Sequence, residues 1–206
     1  TYGNAMMSTD IQADFLNAVR RNNEVLPELH RWTNFTSSNG TTVAIWMAYY
    51  KAIQDINVAL KGIPNVPISK ERERVERAQI QRNLGELYLG RAYYYTYLIT
   101  HFCGAYDASS TYGLPILREF KVSNFPAPST LKETYEFILE DIARAQQLLD
   151  TTTGTEGATT FTVDAAKALK ARVLLYKGEW AAAYATAKSL IDAGTYPLAT
   201  SESSLE

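Results

Sequence analysis

An apolar residue returns every three to four positions through almost the whole chain, and that period admits one fold class. Ile45, Tyr49, Ile53, Ile56 and Leu60 make one continuous stripe on a helix predicted over 42–61, which Gly62 and Pro64 stop. The next predicted helix, 69–102, would be roughly 50 Å long at 1.5 Å per residue. Its first turns alternate in sign, Lys70-Glu71-Arg72-Glu73-Arg74, which suits an exposed helix surface. Its second half, with Leu84, Leu87, Tyr88, Ala92, Tyr93, Tyr94, Tyr95, Leu98 and Ile99, is apolar on nearly every side. A helix of that kind must lie among others, so Tyr88, Ala92, Tyr95 and Leu98 are expected to be buried against the helix of Ile45 to Leu60.

The remaining elements follow from caps and breakers. Thr130 and Glu133 have capping-box spacing ahead of an inner face of Leu131, Tyr135, Ile138, Ile142, Ala145 and Leu149. Two more helices are predicted over 163–177 and 180–193, split by Gly178 and ended by Gly194. Thr9 and Gln12, with Ile11, Phe15 and Val19, predict a first helix over 10–21. Residues 22–42 and 104–129 read as two long loops. No segment alternates as a strand does. Ala171 and Ala183 stand twelve apart across Gly178, as the small positions of a tetratricopeptide repeat do. The expected fold is therefore all-α: tetratricopeptide-like helix pairs in a right-handed α-α superhelix with two long loops, over 1–206 as one domain. Repeats bury their apolar faces against neighbours, so an apolar face is expected to stay exposed at the end of the array.

Charge and composition narrow the function. With 20 Lys and Arg against 22 Asp and Glu, the chain lacks the basic footprint of a nucleic-acid binder. A single cysteine, Cys103, excludes an intramolecular disulfide. No apolar run reaches the 18 residues that a membrane span needs, and no leader is visible at Thr1-Tyr2-Gly3-Asn4. Both ends read as cuts in a longer protein.

The residues of catalysis are poorly represented. Only His30 and His101 exist; His101 reads as a helix-end cation, and Cys103 as a small packed residue. Glu140 with Asp141, or Glu86 with Glu133, supplies carboxylates, but no spacing favours a pair, and adjacent helical acids read as a solvated face. No zinc, P-loop or dinucleotide motif is present. Neither a metal nor a cofactor is expected, and no catalytic residue is assigned.

The aromatic content is high: 14 Tyr, 7 Phe and 3 Trp. Those at helical spacing read as packing. Trp32, Phe35, Tyr106, Tyr112 and Phe125 fall in polar loops, where an aromatic either folds back or meets a ligand. A sugar ring offers an apolar face to stack and hydroxyls to bond. Trp32 and Phe35 are therefore candidate stacking residues, and Asn34 and Asn39 candidate hydroxyl partners. The competing reading is that Trp32 anchors its loop to the core.

The order of these segments resembles the SusD/RagB family of outer-membrane nutrient-binding lipoproteins. Leu84-Gly85-Glu86-Leu87-Tyr88-Leu89-Gly90-Arg91-Ala92-Tyr93-Tyr94-Tyr95 is similar to that family's Tyr-rich helix, although Gly90 stands where Leu is usual. Trp46, Tyr49, Ile53 and Asn57 resemble the helix before it, and Tyr112-Gly113-Leu114-Pro115-Ile116 the Gly-x-Pro-Leu loop after it. Pro128 to Ile142 and Ala165 to Tyr196 resemble the later helices. Members are usually twice this length or more, so the match covers their N-terminal, tetratricopeptide-bearing part. The resemblance implies a non-enzymatic protein at the surface of a Bacteroidetes-type cell. It would be held in the outer membrane by a lipid anchor that this chain does not contain. Its expected ligand is an oligosaccharide or another nutrient, and its expected partner a SusC-like TonB-dependent transporter. The alternatives are a tetratricopeptide scaffold that binds a protein segment and an all-α carbohydrate-active enzyme.

Overall fold

The computed structural model describes residues 2–16, 27–33, 36–121, 126–149 and 159–197, and all regular structure among them is helical. The α-helices are α1 (Tyr2–Gln12), α2 (Pro27–Arg31), α3 (Gly40–Gly62), α4 (Glu73–Phe102), α5 (Leu131–Leu148), α6 (Val163–Tyr176) and α7 (Trp180–Asp192). Short 3₁₀ turns at Ile63–Asn65 and Lys70–Arg72 link α3 to α4. The chain forms two compact units, Thr1–Ala52 and Ile53–Glu206, the division falling within α3.

The first unit departs from the sequence reading. Of the predicted helix over 10–21, residues 17–21 lie outside the described residues; over the rest the helix present is α1, which begins at Tyr2 and ends at Gln12. Thr9 lies inside it. The helix stops because Asp14 takes φ 60° and the amides of Phe15 and Leu16 turn back to the Asp10 carbonyl, at 2.9 and 3.2 Å. Val19 lies outside the described residues. The region read as a loop from 22 to 42 contains α2, a five-residue helix opened by Pro27. Asn39 caps α3: its Oδ1 accepts from the Thr41 and Thr42 amides, both at 3.1 Å.

The second unit follows the sequence closely. Helices α4 and α5 run antiparallel, since Gly85 meets Leu149, Arg91 meets Asp141 and Tyr95 meets Phe137. At Gly85 an added Cβ would lie 2.7 Å from Leu149 Cγ, so this glycine sets how closely the two helices approach. Ala92, Tyr95 and Leu98 are fully buried, but the main partner of α4 is α5 rather than the helix of Ile45 to Leu60, with the Tyr95 ring against Phe137. Tyr88 is not: its ring is half-buried beneath the Arg144 guanidinium, 5.4 Å from the ring centre, because the residue lies on the flank of α4 rather than on its buried face. Thr130 and Glu133 form the capping box, with Glu133 N to Thr130 Oγ1 at 3.1 Å and Thr130 N to Glu133 Oε2 at 2.8 Å. The predicted inner face of α5, Leu131 to Leu149, is buried throughout.

Gly178 turns α6 into α7 at φ +79°, a conformation that Gly adopts without a Cβ penalty. On α7 only Ala183 is buried. Trp180, Tyr184 and Ile191 point outward, which leaves the apolar face expected at the end of the array.

Candidate functional site

In the first unit, Trp32 ends α2 in the left-handed region, at φ 53°. A bulky residue there is held against a cost of about 1–2 kcal/mol, so its surroundings must fix it. They do so through its indole N–H, which donates to the Gln12 carbonyl at 3.2 Å. The apolar anchor of the segment is the buried Leu29, whereas Trp32 is 64% exposed. Its edge ties α2 to the end of α1, and its ring remains open to solvent. Of the other sequence candidates, Asn34 and Phe35 lie outside the described residues. Asn39 is 8% exposed, with Oδ1 on the start of α3 and Nδ2 donating to Glu28 Oε2. Both ends of its amide are engaged within the protein, so the structure gives it the work of shaping the loop beside Trp32.

The other loop aromatics diverge. Tyr106 folds back edge-on to Tyr135 at 5.1 Å, with the Lys177 ammonium 5.8 Å from its ring centre. Tyr112 stands out at 83% exposure. Phe125 lies outside the described residues.

A polar network that the sequence reading missed holds the segment 115–118, which follows Tyr112. Arg91 and Asp141, 4% and 1% exposed, form a bidentate pair at 2.7 and 2.8 Å. Arg91 also donates to Asn57 Oδ1 at 2.6 Å and to the Arg118 carbonyl at 3.2 Å, and Asn57 Nδ2 donates to the Leu117 carbonyl at 2.9 Å. The Tyr95 hydroxyl accepts from the Leu117 amide at 2.7 Å and donates to the Pro115 carbonyl at 3.2 Å. Residues 115–118 are therefore stitched to α3, α4 and α5 by buried side chains. Reading Asp141 with Glu140 as a solvated face holds only for Glu140, which bonds Arg118 and Arg144 at the surface. The signal was present: Asp141 falls on the same face as Ile138, Ile142 and Ala145, and Arg91 interrupts the most apolar stretch of the chain.

Tyr95→Phe should cost about 1–3 kcal/mol, because the Leu117 amide would be left buried without its acceptor. Burial also pushes the Tyr95 hydroxyl well above its ordinary pKa of 10.0. The folded state then keeps a proton that the unfolded chain releases, so stability present below pH 10 falls as pH rises beyond it. Urea midpoints at two alkaline pH values should show a smaller loss for Tyr95→Phe than for the native chain.

Burial pushes the Cys103 thiol up, away from the thiolate that a nucleophile requires. His101 stacks on Tyr97 at 3.9 Å, with Nδ1 2.8 Å from the Tyr97 carbonyl. Among the described residues no group of His, Cys, Asp or Glu is arranged to hold a metal, and no helix is long and apolar enough to cross a membrane.

Comparison with known proteins places this arrangement. Residues 2–175 match a SusD-like family described as starch-binding and associating with the outer membrane. A solved Bacteroides vulgatus structure, described as a sugar-binding protein, is 27% identical with a TM-score of 0.68, over 81% of this chain and 36% of its own. A SusD superfamily protein from Bacteroides thetaiotaomicron is 24% identical with a TM-score of 0.72, over 89% and 39%. A laminarin-binding SusD-like protein is 21% identical with a TM-score of 0.63, over 90% and 41%. The last two share the fold. The chain spans 36–41% of the length of these three solved proteins. No curated protein matches it significantly.

Proposed function

Because the chain belongs to the SusD-like family of starch-binding proteins associated with the outer membrane, we propose that it is a non-enzymatic module that captures oligosaccharide at the cell surface. In this reading it delivers the glycan to a SusC-like TonB-dependent transporter and is held in the outer membrane by a lipid anchor. The family match over residues 2–175 carries the proposal. Trp32 supplies the local support: an open indole face, held by its own N–H in a strained backbone conformation, on a loop shaped by Asn39. Strain retained at an exposed aromatic points to function more than to packing. Phe35 and Asn34, within three residues of Trp32, remain part of the proposed site on sequence grounds.

The test is titration calorimetry of Trp32→Ala with maltoheptaose and with laminarihexaose. Stacking worth roughly 1–3 kcal/mol per ring, by analogy with base stacking, makes a loss of about tenfold in affinity the expected result, with the melting temperature little changed. Unaltered affinity would remove Trp32 from the site. A second reading, a scaffold for a protein segment, is favoured by the outward Trp180, Tyr184 and Ile191 of α7. It would be preferred if Trp180→Ala abolished capture of a protein partner while no oligosaccharide bound.

A further inference from the structure

Helix α4 outruns its neighbour. Its buried contact with α5 ends at Gly85 against Leu149, and the turns of α4 before that point continue past the last turn of α5. The step between them is a groove of about 660 Å³, within the range of small-ligand sites. Its apolar surface comes from Val75, Ala78 and Leu148, and its polar rim from Arg74, Arg82, Gln79 and Gln81. Two guanidinium groups line it, and among the described residues no acidic side chain does.

The local charge accounting favours an anion. The acids at the start of α4 are engaged: Glu73 pairs with Arg77 at 2.8 Å and Glu76 with Arg72 at 3.9 Å. Arg82 spans from Glu86, at 3.3 Å, to the Thr160 hydroxyl, at 2.7 Å. Arg74 has no partner among the described residues. The end of α5 brings a partial negative charge of about half a unit, but Gln81 Nε2 already donates to the Leu148 carbonyl at 3.3 Å. The Arg82 charge is shared with Glu86, so the full positive charge of Arg74 is what outweighs that remainder. Guanidinium forks suit carboxylate and sulfate oxygens, and the apolar floor suits one face of a sugar ring.

We propose that this groove binds an acidic sugar, carboxylated or sulfated, which Arg74 and Arg82 hold through its anionic oxygens. The proposal rests on the glycan-binding reading above and names the ligand class for a second, separate subsite.

The experiment uses the whole chain and three probes: trigalacturonate, a chondroitin sulfate tetrasaccharide, and neutral maltoheptaose. At least one acidic probe should bind, with an affinity that falls on adding salt as charge screening requires. Arg74→Gln should weaken it about tenfold, and Ala78→Trp, which fills the groove without touching a charge, should weaken it at least as far. Neither variant should alter maltoheptaose binding. The acidic probes differ in their anion, so their relative affinities assign carboxylate or sulfate. Maltoheptaose binding with no acidic binding overturns the groove while leaving the general glycan reading intact. So does acidic binding that both variants leave unchanged. Failure of all three probes overturns the groove and counts against glycan capture as well.

Discussion

Asp141→Ala is expected to lower the free energy of unfolding by about 3–5 kcal/mol, because it strands the Arg91 guanidinium in a site that is 4% exposed. The loss should not be confined to the pair. Arg91 also holds Asn57 and the Arg118 carbonyl, and Asn57 holds the Leu117 carbonyl. Amide exchange at Leu117 should therefore accelerate out of proportion to the global change. Urea unfolding gives the first quantity and hydrogen exchange the second. A cost below about 1 kcal/mol would mean that the pair is hydrated like a surface bridge. The double variant Arg91→Met, Asp141→Leu removes both charges and should recover much of the stability. Faster exchange at Leu117 in that variant would show that the ion pair acts mainly to fix the 115–118 segment.

Gly113→Ala should destabilise by about 3 kcal/mol, at the upper end of overpacking. The reason is proximity, since Gly113 is not among the positive-φ residues. A Cβ there would meet the Thr130 backbone, 2.6 Å from its carbonyl carbon, and the Thr134 hydroxyl at 2.6 Å. Neither can retreat. Thr130 is the cap of α5, and Thr134 Oγ1 accepts from the Leu114 amide at 3.1 Å. The Gly113 amide itself donates to the Ser129 carbonyl at 2.9 Å. Gly40→Ala is the control: nothing lies within 4 Å of a Cβ at the first residue of α3. It should be neutral, or stabilising by about 0.4–1 kcal/mol through the unfolded chain. Thermal melts of the two variants check the contrast, and equal shifts would show that the approach of the 110–114 segment to α5 is slack.

The period of the apolar positions is a property of the chain alone, so α3, α5, α6 and α7 could be drawn to within two residues. The Thr130 capping box is equally local, its two bonds joining residues three apart. Helix α1 was misplaced because Thr9, a good cap by residue type, sits within a helix already begun. What ended that helix was the backbone at Asp14, which side-chain pattern does not encode. Helix α2 was missed because five residues are too few to show a period.

For the candidate site, the sequence supplied the residue types. Aromatics in a polar loop marked Trp32 as unusual. Nothing in the sequence showed that its N–H reaches Gln12, twenty residues away, or that Asn39 spends its amide on α3 and Glu28. For the buried pair, the apolar setting of each member was visible but their pairing was not. Arg91 and Asp141 are fifty residues apart, so nothing local showed that the two meet.

The sequence by itself determined the helical class, the elements from α3 onward and the family resemblance, because periodicity, caps and breakers act over one or two turns. The tertiary structure alone decided which charges are buried, which glycine marks a close approach and which aromatic stays open. Those outcomes depend on what a folded neighbour brings within a few ångströms, and a neighbour fifty residues away leaves no periodic trace.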